Sequence, residues 1–346
     1  MKMPLRILLI ILCAAIIIAI PFTISAPNML NDVKMELMNG EDDEDEIDFG
    51  RLFLSAAVAE ETDEDIDLDA GTDSAQPLYI LPIDFSVPPA PDPDRYTEEG
   101  YEDETITVKM SQQVFDEGTT IHIAYVTIKD ASQMRTAVAH PDKLGSTNGK
   151  SVSKMAKENN AVVAINGDNY IDDPQKTTFE YRMTQKIRSK ANRLKDILII
   201  DDCGDFHLLI KSEGLKEFPD KLKKQGKKLI NAYTFGPALV KDGALLTIDS
   251  NYGYNPNGRE PRAAIGQTGP LSYVIVIVQA KDRSGKYGFS QHKLAELMYD
   301  IGCIQAFNLD GGNSAEMVFG ERIIKGMPSG DERTLSDIFY FATAKP

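Results

Sequence analysis

The sequence predicts an α+β protein, built on a mixed β-sheet with few helices, over residues 105–346. Three observations carry this expectation. From Thr105 onward, TITVKM and TIHIAYVTI alternate apolar and polar residues with the period of a strand. LSYVIVIVQA (Leu271–Ala280) is a nearly unbroken apolar run of the kind buried on both faces. Few segments read as helices, and their order is not a steady alternation of strand and helix.

The elements follow in order. MRTAVA reads as a strand. Ser151 is placed to cap a short helix over SVSKMAKENN, which leads into the apolar strand AVVAI and then Asn166-Gly167-Asp168. LKDILIIDDCGDFHLLI reads as a hairpin around Asp205, and NAYTFGPALVKDGALL as a loop and a further hairpin. Ser290 opens an amphipathic helix with Leu294, Leu297, Met298 and Ile301 on one face, and Gly302 ends it. CIQAFNL is the next strand, delivering Asp310 into two glycines. AEMVF and DIFYFAT complete the set.

Charge divides the 346-residue chain. Its net charge is -16; residues 1–104 hold 25 acids and 5 bases, and residues 105–346 hold 28 acids and 32 bases. The long C-terminal part is therefore nearly neutral, which disfavours nucleic acid as a partner. Residues 27–104, with EDDEDEID, ETDEDIDLD and PPAPDPDRYTEEGYEDE, read as a disordered acidic stalk, because such composition buries little and repels itself.

Residues 1–26 read as an export segment. Lys2 and Arg6 precede an apolar core at Ile7–Ile20, so residues 7–26 are expected to meet a membrane, either as a retained single-span anchor or as a cleaved signal. Positive charge before the span places the remainder outside the cell. Beyond the span only Cys203 and Cys303 remain, and both are read as free thiols. KLKKQGKK (Lys221–Lys228) reads as a solvated helix face or loop.

Four segments carry chemistry-bearing residues at strand ends: AINGDNY, TFGPALVKDG, EPRAAIG and AFNLDGGNSAEMV. A rigid strand that ends in glycine either makes a turn or brings backbone close to a ligand. Asp310 and Asp168 are the candidate carboxylates, although Asp168 reads equally as a turn or capping residue. Arg262 is the candidate guanidinium for a bidentate anion contact. Asn166, Gly167, Gly236, Asn308, Gly311, Gly312 and Ser314 are candidate binding residues, the two adjacent glycines offering N–H groups to an anion. Arg182, Arg188 and Arg333 are secondary anion contacts or surface ion pairs. The four histidines have no zinc-like spacing, and no cofactor or metal is expected; Asp168, Asp205 and Asp310 are a carboxylate set from which a metal site could in principle assemble.

From about Ile121 to Ala344 the chain resembles the phosphodiester glycosidase family. The likeness rests on Asn166–Asp168, on G-P-x-L-V-x-x-G at Gly236–Gly243, and on P-R-x-A-I-G at Pro261–Gly266. It continues with N-L-D-G-G-x-S at Asn308–Ser314 and G-x-E-R at Gly330–Arg333. Asn313 stands where the family commonly has a third glycine, Asp168 where some members have glycine, and Asn169 where an aromatic is common. The resemblance implies hydrolysis of a sugar-1-phosphodiester at the anomeric carbon. It would proceed without cofactor on a sugar-phosphate polymer or glycoconjugate, with Asp310, Asp168 and Arg262 catalytic. A glycan-binding module without turnover and a metal-dependent phosphodiesterase are the alternatives.

Overall fold

A computed structural model describes residues 83–172, 178–190, 195–329 and 331–345. The export segment and most of the acidic stretch fall outside these residues. Among the described residues no helix is long and apolar enough to cross a membrane.

The strands, numbered along the chain, form three large sheets. The first has the order β1 (Gly100–Glu102), β2 (Ile106–Asp116), β3 (Thr119–Ile128), β15 (Ser272–Ala280), β14 (Arg262–Gly269), β16 (Gln305–Leu309), β12 (Ala238–Lys241), β13 (Ala244–Leu245). The second runs β10 (Phe206–Leu209), β9 (Ile197–Asp201), β11 (Leu229–Thr234), β7 (Phe179–Arg182), β8 (Gln185–Ser189). The third runs β18 (Arg322–Lys325), β17 (Glu316–Phe319), β6 (Ala161–Asn166), β20 (Asp337–Ala342), β4 (Met134–Val138). A short pair joins β19 (Thr334–Leu335) to β5 (Lys150–Ser151).

The architecture is α+β as expected, but the sheets are not mixed: the pairings among the described residues are antiparallel. Tight hairpins such as β2–β3 and β14–β15 join many neighbours, so few crossovers of the kind a parallel pair requires are present.

Alternation decides which side chain goes where. In β15, Tyr273, Ile275 and Ile277 enter a central core shared by all three sheets, while Val274, Val276 and Val278 face the opposite way. That second face is covered by α3 (Gln291–Asp300), which contributes Leu294, Ala295 and Met298. The second sheet is covered by α2 (Phe218–Lys224) through Phe218 and Leu222, and the third by α1 (Val152–Glu158) through Val152, Met155 and Ala156. Each sheet thus has one face in the common core and a helix on the other, so central strands such as β15 and β9 read as continuous apolar runs, whereas β2 and β3, partly exposed on one face, alternate. The caps are those the sequence indicated: Ser151 Oγ accepts from the Lys154 N–H at 3.4 Å and Ser290 Oγ from the Lys293 N–H at 3.1 Å.

The expected stalk boundary at residue 104 needs correction. Residues 100–102 form the edge strand β1, paired with β2. Tyr101 is buried, and Tyr96 packs on Tyr101 and Phe319 at 4.7 and 5.1 Å between ring centroids. Acidic neighbours hid these two aromatic anchors in the composition.

Candidate functional site

The ends of strands from all three large sheets converge, and they are the ends that carry the sequence motifs. β6 ends at Asn166, whose side chain is fully buried. Its Nδ2 donates to the Asp310 carbonyl at 2.7 Å, and its Oδ1 accepts from the Glu316 N–H at 3.1 Å. One amide thus fixes both limbs of the Asp310–Ala315 loop. The Asp310 N–H in turn donates to the Gly167 carbonyl at 3.4 Å. On the other side, Asn308 Nδ2 donates to the Gly236 carbonyl at 2.8 Å, tying β16 to the segment that follows β11.

Two glycines are required for close approach rather than for turning. A Cβ on Gly167 would lie 2.2 Å from Asp337 Oδ2, and one on Gly311 would lie 2.8 Å from the Pro261 carbonyl. The adjacent Gly312 has φ +59° and its N–H donates to that same carbonyl at 2.8 Å, so this N–H is engaged by protein.

Asp310 is half-buried at the open end of this junction. Arg333 Nη1 lies 3.9 Å from Asp310 Oδ2 and donates to Ser314 Oγ at 2.7 Å. The Ser314 side chain is buried, and the Arg333 side chain is 43% exposed. The residues before Arg333 in G-x-E-R include Gly330, which lies outside the described residues.

Arg262 does not present its guanidinium to this carboxylate. It is buried, and its Nε donates to the Phe289 carbonyl, its Nη1 to Tyr254, and its Nη2 to Asn255 and Gly258, at 2.8–3.0 Å. The expected bidentate phosphate contact is therefore replaced by a clamp on the 254–258 loop. Burial without a paired carboxylate pushes this guanidinium down to about 10.

Asp168 is also turned inward. Its Oδ1 accepts from Arg182 Nη2 at 2.8 Å and its Oδ2 from the Thr234 N–H at 3.1 Å, with its side chain wholly buried. Arg182 is not a surface residue, because β7 points Glu180 and Arg182 to the same buried side. Arg182 Nε pairs with Asp337 Oδ2 at 2.8 Å, Nη1 with Glu180 Oε2 at 3.1 Å, and its guanidinium lies 3.8 Å from the Tyr233 ring centroid. Three carboxylates around one cation cannot all ionise cheaply. Burial, then Asp168, drives Glu180 well above the usual range, and burial holds Asp337 at about 6. Burial opposes charge on Arg182, but Asp168 and Asp337 outweigh it and hold its pKa high. This cluster pins the second sheet to the third behind the site.

The carboxylate set Asp168, Asp205 and Asp310 is not assembled. Asp168 meets Thr234 at one end of β11, whereas Asp201, beside Asp205, pairs with Leu229 at the other. Among the described residues the one grouping with metal-ligand spacing is Asp201, Cys203 and Asp205. Lys227 Nζ already bridges its two carboxylates at 2.8 and 2.7 Å.

Residues 159–342 match the family model for phosphodiester glycosidase. An uncharacterised SPbeta prophage-derived protein of Bacillus subtilis, YomE, is 28% identical over 197 residues, covering 56% of this chain and 30% of that protein. The chain thus spans about a third of that relative's length. Among solved structures, the catalytic domain of zebrafish N-acetylglucosamine-1-phosphodiester α-N-acetylglucosaminidase, auto-inhibited by its pro-peptide, is similar in fold. Its TM-score is 0.52 and its identity 17%, with 69% of this chain and 83% of that chain covered. With the matched segment holding β6, β7, β11, β14 and β16, whose ends build the junction, the chain belongs to the phosphodiester glycosidase family.

Proposed function

We propose that this protein hydrolyses sugar-1-phosphodiesters at the anomeric carbon–oxygen bond, releasing a reducing sugar and a phosphomonoester. The observation that carries the reading is the half-buried Asp310 carboxylate set 3.9 Å from Arg333 at the junction of three strand ends. The leaving group is a phosphate monoester, stable without protonation, so one accessible carboxylate suffices where ordinary glycosidases need two. Asp310 is the anion beside the anomeric carbon, as nucleophile or as base toward water. It also stabilises positive charge developing on the sugar.

Arg333 replaces Arg262 as the phosphate ligand. Its side chain is 43% exposed and its Nη1 lies 3.9 Å from Asp310 Oδ2, which sets the guanidinium beside the carboxylate that faces the anomeric carbon. Ser314 Oγ orients that guanidinium. Asp168 becomes a positioning residue, since both its oxygens are engaged by Arg182 and Thr234. The apolar Ile7–Ile20 segment supports an extracellular, membrane-tethered setting, with cell-surface or extracellular polysaccharide as the substrate source.

The test is hydrolysis of N-acetylglucosamine-1-phosphate methyl ester in oxygen-18 water, the sugar being that named for the zebrafish relative. Label in the sugar supports carbon–oxygen cleavage. Label in the phosphate indicates a phosphodiesterase, and binding without turnover indicates a glycan-binding module.

A further inference from the structure

Arg333 reaches Ser314 and Asp310 from a segment, 331–333, that is neither strand nor helix. A guanidinium keeps one place beside a carboxylate only if the backbone under it is fixed. On the C-terminal side, Thr334 and Leu335 pair with Ser151 and Lys150 in the short β19–β5 ladder. On the N-terminal side the holding is done by a side chain, that of Glu332. Its Oε1 accepts from the Ser153 N–H at 3.1 Å and its Oε2 from Ser153 Oγ at 2.7 Å. One carboxylate thus takes both donors of a single residue that lies 179 positions away in sequence.

The anchor is rigid. Ser153 lies in the first turn of α1, where backbone N–H groups find no partner within the helix, and α1 is seated on the third sheet through Val152, Met155 and Ala156. The other neighbour of Glu332 is Glu316, whose protonated carboxyl donates to it. Glu316 is buried and directly follows the Asp310–Ala315 loop, and its own N–H is held by Asn166. Lys325 is the cation that acts on both acids. Burial opposes charge on Glu332, but the hydrogen bonds from Glu316 and Ser153 outweigh it and hold its carboxyl below the ordinary value. Glu332 therefore ties together helix α1, the exit of the loop that begins at Asp310, and the arginine that stands beside Asp310.

We propose that Glu332 is a positioning residue for the reaction at Asp310: by clamping Ser153 it fixes the place of Arg333 beside that carboxylate. This rests on the hydrolytic reading above. The role is one of reach rather than of charge. A glutamine keeps both contacts with Ser153, accepting from its N–H and donating to its hydroxyl. An aspartate keeps the charge, but it is one methylene shorter and does not span the same distance from the same backbone. Glutamine therefore preserves the clamp and aspartate breaks it, the reverse of what an electrostatic role would give.

The test is a double-mutant cycle on kcat/KM for N-acetylglucosamine-1-phosphate methyl ester. Glu332→Asp is expected to lower kcat/KM roughly tenfold, and Glu332→Gln to stay within about twofold of wild type. In an Arg333→Ala background, Glu332→Asp should bring no further loss, because the arginine it positions is gone. Ser153→Ala, which removes the hydroxyl partner and leaves the helix, takes the place of the aspartate variant if that fails to fold. Equal losses with and without Arg333 would make Glu332 a purely structural residue and overturn the proposal. An unchanged rate in Glu332→Asp, or rescue by aspartate and not by glutamine, overturns it as well. If the wild type releases no sugar, the hydrolytic reading fails by itself, and calorimetric affinity for inorganic phosphate decides the positioning role. Weaker binding by Glu332→Asp than by Glu332→Gln then supports it, and equal binding or none overturns it.

Discussion

Asn166 Nδ2 donates to the backbone carbonyl of Asp310 at 2.7 Å, across 144 residues of sequence and between two different sheets. The same side chain accepts from the Glu316 N–H, so it holds the Asp310–Ala315 loop at its entry and its exit. Asn166→Ala leaves a buried carbonyl and a buried N–H unsatisfied, an expected cost of about 1–3 kcal/mol. Turnover should fall with it because Asp310 loses its fixed position. Urea midpoints and initial rates on the same preparation check both effects.

Arg262→Lys is expected to behave like Arg262→Ala, and the reason is structural. One ammonium cannot reach the carbonyls of Phe289, Tyr254, Asn255 and Gly258 together. Each variant should lose about 2–4 kcal/mol of stability in a denaturant titration. Affinity for inorganic phosphate should be reduced far more by Arg333→Ala than by Arg262→Lys. The opposite ranking would return Arg262 to phosphate contact.

The central strands were legible in the sequence as apolar runs and β2 and β3 as alternation, while the short or charged strands β1, β5, β7, β8, β18 and β19 were not read. The convergence of the motifs was legible only as a set of similar strand ends. What donors would meet was not. Arg262 followed by small residues looks the same whether its guanidinium faces a ligand or four carbonyls. Arg182 was expected as a secondary anion contact or a surface ion pair. It turned inward because Asp168 and Asp337 arrive from another sheet to receive it. Antiparallel order was not legible either, since strand direction depends on which neighbours pair.

Glu316 gives a pH dependence with a definite sign. Burial, reinforced by the neighbouring Glu332, pushes its carboxyl from 4.5 up to about 9. The folded state therefore holds a proton that the unfolded chain releases, and stability falls as pH rises from about 4.5 to 9. Glu316→Gln keeps a neutral group there and should be more stable than wild type at pH 7 by about 2–3 kcal/mol, with little difference below pH 4. Thermal midpoints across pH would show the two curves diverging upward through this window. Parallel curves would contradict the assignment.

Residues 96–102 belong to the folded unit. Chains beginning at residue 83 and at residue 105 should differ in stability, because the shorter one loses Tyr101 from the core and Tyr96 from Phe319. Each large side chain lost is worth roughly 1.5–3 kcal/mol. A lower thermal midpoint for the shorter chain is expected, and equal midpoints would restore the boundary at residue 104.

The role of Asp310 is tested most directly by Asp310→Asn, with sugar release and thermal midpoint measured on the same protein. The amide matches the carboxylate in shape and leaves untouched the backbone bonds to Asn166 and Gly167. It cannot act as an anion beside the anomeric carbon. The expected result is a loss of about 10²–10⁴-fold in the rate of sugar release with the midpoint nearly unchanged. An unchanged rate with a lowered midpoint would contradict it and reduce this carboxylate to a turn residue.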